Sequence, residues 1–159
     1  MKNKWLVIGA AGIILLVGAT GAAARSSNPL KWIKKNPGLT ANEQLAANKE
    51  EERKLSLQLQ ALLPPKTTLR EACSGFLSLE DCVAALHVSR NLKIKYNCLK
   101  WHMTAARPNG DVKTCEAPPG DKPLSLVKAI RVLNSDADAK PEAKNAERRA
   151  REDIRDASS

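Results

Sequence analysis

Aromatic side chains are almost missing from this chain. Trp5, Trp32, Phe76, Tyr96 and Trp101 make up 3% of its 159 residues. A folded unit must therefore build its core from Leu, Val, Ile and Ala, and so modest a core calls for staples. Cys73, Cys82, Cys98 and Cys115 can supply them. No two of these cysteines stand as C-x-x-C, so a thioredoxin-like centre, a c-type haem site and a zinc ribbon all lack their signature. Histidine is scarce as well, with only His87 and His102. There is no H-E-x-x-H, no Ser/His/Asp order, no Gly-rich phosphate loop and no inward-facing carboxylate pair. The chain is not read as an enzyme, and no cofactor is expected.

Acidic residues are absent from the first 42 positions, which hold Lys2, Lys4, Arg25, Lys31, Lys34 and Lys35. The whole chain has a formal charge of +9, from 26 Lys/Arg and 17 Asp/Glu. Six of those positive charges sit in that first segment, so the remainder is close to balanced. The basicity belongs to the surroundings of an apolar stretch. That favours an anionic membrane surface as its partner, and no nucleic acid is expected.

That stretch, "WLVIGAAGIILLVGATGAAA" at residues 5–24, carries no charge. Twenty helical residues span about 30 Å, the thickness of the hydrocarbon core. Residues 1–24 are read as a transmembrane anchor or a signal peptide. Lys2 and Lys4 would form the basic n-region of a signal, and residues 22–24 its small cleavage positions. Cleavage would leave Arg25 first, which is unfavourable for export. Residues 25–39 then form a basic juxtamembrane segment. There Trp32 and Ile33 interleave with Lys31, Lys34 and Lys35, the pattern of a segment resting at the membrane interface. More Lys/Arg follow the apolar stretch than precede it, which by the positive-inside tendency would hold the rest of the chain in the cytoplasm. Four cysteines in so small a domain point the other way, to an oxidising compartment, and they are given the greater weight.

Beyond the membrane segment the expected fold is all-α, a small irregular helical bundle stapled by disulfides. Residues 40–63 read as a helical stalk: Thr40 and Glu43 form a capping box, and Leu55, Leu59, Leu62 and Leu63 an apolar edge. Residues 66–134 read as the domain proper, with helices near 69–75, 78–92, 95–104 and 123–133. Thr68 with Glu71 is a second capping box, and Leu79, Cys82, Val83 and Leu86 form one face. Residues 135–159 read as a charged, Ala-rich helix or tail. Its alanine stripe at residues 139, 143, 146 and 150, continued by Ile154 and Ala157, is expected to be mainly solvated, with docking of a partner protein through residues 138–157 as the sharper reading.

Four cysteines allow three pairings. If helices 78–92 and 95–104 form an antiparallel hairpin, Cys98 lies far from Cys82, and the following loop carries Cys115 back toward Cys82. That reach argument favours Cys82–Cys115 with Cys73–Cys98 over Cys73–Cys82 with Cys98–Cys115. A competing use is metal binding: Cys98 and His102 stand at i,i+4, with His87 on a neighbouring helix.

The stretch "LREACSGFLSLEDCVAALHVSRNLKI" resembles a segment of small exported bacterial proteins of unknown function. In them a similar helix leads into an "NLGI"-type turn, and a "SLGKAI"-type helix precedes an Ala/Lys/Glu-rich tail. The counterparts here are "NLKI" at 91–94 and "SLVKAI" at 125–130, with Lys93 and Val127 where that pattern carries glycine. The resemblance spans about residues 69–133 and implies export and an all-helical domain, but no activity. The expected role is thus that of an extracytoplasmic, membrane-tethered helical domain with a structural or protein-binding function. Its expected location is a bacterial inner membrane with the domain in the periplasm, or the periplasm or exterior after cleavage. Two alternatives stand beside it. One is a cytoplasmic helix-turn-helix-like regulator presenting Arg90, Lys93, Lys95 and Lys100 to phosphate. The other is a Cys/His metal or redox carrier.

Overall fold

Side-chain caps open the first four helices. The Thr40 hydroxyl accepts from Glu43 N while the Glu43 carboxylate accepts from Thr40 N, and this capping box starts α1 (Ala41–Ala47). Asn48 then leaves helical geometry, at φ −142° and ψ 104°, and its Oδ1 accepts from Glu50 N and Glu51 N. One residue thereby ends α1 and caps α2 (Lys49–Gln58), whose first turn carries Glu50, Glu51 and Glu52. Thr68 and Glu71 repeat the capping box for α3 (Leu69–Cys73). Ser78 Oγ accepts from Asp81 N at the start of α4 (Leu79–Leu92). After α5 (Tyr96–Thr104) and α6 (Leu126–Leu133), the chain closes with α7 (Ala139–Ala157).

The computed structural model describes residues 38–109, 112–115 and 120–159. They are all-helical and contain no strand, as the periodicity predicts. Among them no helix is long and apolar enough to cross a membrane. The anchor or signal reading of residues 1–24, and the interface reading of Lys31, Trp32, Ile33, Lys34 and Lys35, lie outside the described residues.

The hub is α4. Its residues Leu79 and Cys82 through Val88 are all buried, whereas the leucine pattern predicts a single inward face. Ala84 and Ala85 close the gap: their small side chains let neighbouring helices approach from the flanks. A helix enclosed on most sides is buried by its neighbours, here α1, α3, α5 and, most extensively, α7.

Two segments differ from expectation. Residues 40–63 are two helices and not a stalk. Ala41, Leu45, Leu55 and Leu59 all lie in the core. Ala41 N donates to Phe76 O at 3.0 Å, and Leu79 N donates to the Gln44 side chain at 3.4 Å. The break at Asn48 lets each half turn its own short apolar edge inward. The C-terminal segment differs likewise. Ala139, Ala143, Ala146, Ala150, Ile154 and Ala157 are 5% exposed or less, and α7 packs along α4 and α6 and against α2. The stripe expected to be solvated, or to dock a partner helix, is occupied by the chain's own bundle. Alanine buries little area per residue, but nineteen residues of close-packed helix form a long seam. His87 Nε2 and Asp153 Oδ2, 2.7 Å apart, pin it, and Arg151 pairs with Glu80 across the same interface.

The disulfides are Cys73–Cys82 and Cys98–Cys115, with Cα separations of 5.2 and 5.5 Å. The favoured pairing, Cys82–Cys115 with Cys73–Cys98, is therefore corrected to its alternative. The bend after α3 lays Cys73, at the end of that helix, over Cys82 in the first turn of α4. Gly75 serves this bend with φ +86°, a backbone conformation that side-chain-bearing residues rarely adopt. At the other bridge, α5 is only about 13 Å long. The chain between Thr104 and Cys115 can span up to about 36 Å, so Cys115 can reach back to the beginning of α5. There Lys95 Nζ donates to Thr114 Oγ1 at 2.6 Å and Val112 is buried.

Candidate functional site: a basic groove between α3 and α5

The turn before α3, the end of α3 and the exposed side of α5 enclose a groove of about 670 Å³. Its floor follows from how α3 is fastened to α5. Tyr96 and Lys100, one turn apart on α5, both donate to backbone carbonyls of α3. Tyr96 Oη reaches Ala72 O at 3.0 Å, and Lys100 Nζ reaches Glu71 O at 2.8 Å. Lys100 Nζ also donates to Ser74 Oγ at 2.8 Å, and that hydroxyl in turn donates to Glu71 O. These bonds satisfy carbonyls that a five-residue helix leaves open at its end. Burial holds the Tyr96 phenol well above its ordinary range, so it stays a neutral donor.

Lys100 sets the character of the groove. Only 6% of the residue is exposed, and both acceptors on its ammonium are neutral. No carboxylate lies within ion-pair distance of it among the described residues. Burial lowers its pKa from the ordinary lysine value, because desolvation penalises the charged form. Around it stand Lys66, Arg70 and Arg107. Arg70 is paired with Glu52 on α2. Arg107 lies over the Trp101 ring, 5.8 Å from its centroid, within cation–π range. The Glu71 carboxylate accepts from Thr68 N and Oγ1 at 2.7 and 2.8 Å, and these bonds hold its pKa below the usual carboxylate value.

The structure separates the cations that the helix-turn-helix reading placed on one face. Arg90, Lys93 and Lys95 border a different recess, beside Leu62, Leu63 and Pro64. Lys95 is committed to Thr114, and Lys100 is turned inward beneath α3. The metal reading loses its thiolate: Cys98 is bonded to Cys115, so its sulfur is not available beside His102. His102 is itself buried at 2% exposure, and its backbone carbonyl accepts from Leu124 N at 2.9 Å. Among the described residues no three His, Cys, Asp or Glu side chains are gathered in a metal-holding group. The His87–Asp153 pair has no hydroxyl or thiol hydrogen-bonded to it among the described residues and lies at the α4–α7 seam, away from the groove. Sequence reasoning had Lys100 on a phosphate-facing surface and did not connect it with Lys66, Arg70 or Arg107. No spacing rule links positions that only the α3–α5 packing brings together.

No family model, curated protein or solved structure matches this chain.

Proposed function

We propose that the chain is an extracytoplasmic helical domain, tethered to a membrane by its N-terminal segment, with a structural or protein-binding role and no catalytic one. The observation that carries this reading is the state of the cysteines. All four are joined in two disulfides, and the core they staple is built from Leu, Ala, Val and Ile with few aromatics. Disulfides persist in oxidising compartments and are rare where thiols are kept reduced. The uncharged residues 5–24, flanked by Lys/Arg, supply a segment of membrane-spanning length. The resemblance of residues 69–133 to exported bacterial proteins supports the same compartment, with the domain on the periplasmic side of an inner membrane. A binding role is supported by the groove, which gathers donors and cations at the surface of the domain.

A reporter enzyme active only outside the cytoplasm, fused after Ser159, tests the compartment. Signal is expected, and a dark but expressed fusion refutes export. N-terminal sequencing of the native protein tests the tether, since a start at Arg25 would mean that the segment is removed. Four free thiols in the native protein would remove the observation on which the reading rests.

A further inference from the structure

Among the described residues, the groove between α3 and α5 holds more positive charge than its carboxylates neutralise. Lys66, Arg70, Lys100 and Arg107 line it, against one lining carboxylate, Glu71. Counting also Glu52, the partner of Arg70, four cations face two carboxylates. Two positive charges are left over.

Two features distinguish this from an ordinary solvated basic face. Lys100 is 6% exposed, and among the described residues its ammonium is held by Glu71 O and Ser74 Oγ alone. A buried charge usually acquires a counter-charge, and an ammonium has three N–H donors, of which these acceptors use two. The Arg107 guanidinium carbon lies over the Trp101 ring. That contact steadies a guanidinium whose N–H fork suits an oxyanion. A carboxylate would neutralise one of the two surplus charges, whereas a phosphate monoester carries close to two at neutral pH. We propose that this groove binds a phosphoryl dianion, with Lys100 and Arg107 as its charge-assisted donors. The volume of about 670 Å³ is that of a small-molecule site and exceeds one phosphate. The phosphoryl group is therefore one end of a larger ligand, either a soluble phosphomonoester or the headgroup of a phosphomonoester lipid. The assignment concerns the folded domain and stands whether or not residues 5–24 anchor it.

The test is calorimetric titration of the full chain in a neutral detergent with glycerol 3-phosphate, dioctanoyl phosphatidic acid and acetate. Both phosphomonoesters are expected to bind, with acetate weaker by about tenfold or more, the worth of one charge-assisted bond. Equal affinities for the two phosphomonoesters identify the soluble ligand as sufficient, and a lipid preference of about tenfold identifies the headgroup. Arg107→Gln, at an exposed position, and Lys100→Met should each weaken binding by about tenfold or more. If Lys100→Met loses its helical circular dichroism, Arg107→Gln alone decides. No binding of either phosphomonoester, acetate binding as tightly as they do, or an unchanged affinity in Arg107→Gln overturns the proposal.

Discussion

Removing the two disulfides one at a time tests the account of how this chain stays folded. The bridges close loops with sequence separations of 9 and 17. In the chain-entropy model such loops are worth about 2.5 and about 3 kcal/mol respectively. Together that approaches the whole stability of a marginal domain, about 5–15 kcal/mol. Cys73→Ala/Cys82→Ala should therefore lower the urea-unfolding free energy by about 2.5 kcal/mol, and Cys98→Ala/Cys115→Ala by about 3 kcal/mol, each with a rise in m-value as the denatured chain loses a cross-link and exposes more surface. Full reduction should leave the domain largely unfolded at 37 °C. The pairing itself is readable in a tryptic digest without reductant. No Lys or Arg lies between Cys73 and Cys82, so both fall on the peptide 71–90. That peptide should appear alone, lighter by its two thiol hydrogens, while the peptide 96–100 should be joined to the one bearing Cys115. Finding peptide 71–90 cross-linked to either of the others would refute the topology. A double variant with unchanged stability would refute the energetic argument.

Other outcomes follow from burial and backbone geometry. Ala146 is fully enclosed in the α7 seam, so Ala146→Leu should cost about 1–3 kcal/mol by overpacking and lower Tm by several degrees. The same change at exposed Asn145 should be nearly neutral, and equal effects at both sites would contradict the seam. Lys93 ends α4 in the left-handed region at φ 58° and ψ 24°, the position where the resembling sequences carry glycine. Lys93→Gly should be stabilising by up to about 1 kcal/mol in urea unfolding, and a clear loss would mean that the lysine side chain outweighs the strain. Asp81 has its pKa raised from 3.8 by burial and by the neighbouring Glu80 and Glu147 carboxylates. An acid raised in the folded state penalises folding once ionised, and the penalty is absent below the unfolded value. Asp81→Asn should accordingly gain stability over the parent as pH rises from about 3 through the weakly acidic range. A difference that stays flat across that range would remove the electrostatic cause.

Much of the fold can be read from local signals. The capping boxes at Thr40 and Thr68, the Ser78 cap and the helical spacing around Leu79 and Leu126 place the helices, because caps and periodicity are properties of a few neighbouring residues. Asn48 is the instructive miss. An Asn inside an otherwise periodic stretch is also an N-cap candidate, and its side chain ended one helix and began the next. The groove was far less legible. Lys100 is an unremarkable lysine in sequence, and its burial depends on α3 lying across α5. Cysteine pairing failed for a related reason. The reach argument took the helical hairpin as the frame, yet Cys73 and Cys82 meet through a short turn, and Cys115 returns to the start of α5.

Composition and local pattern alone determine that the described residues are helical, that the chain is poor in aromatics and holds four cysteines, and that its excess basicity gathers around an apolar N-terminal segment. These are consequences of residue type and short-range spacing. Only the packed structure decides that the alanine stripe of α7 is an internal seam, that residues 40–63 belong to the core, which cysteines are joined, and that four separate cations share one groove. Each of these depends on which faces meet at long range, and a sequence of small aliphatic residues leaves several faces almost equally able to bury themselves. The choice among them is made by the whole bundle around α4.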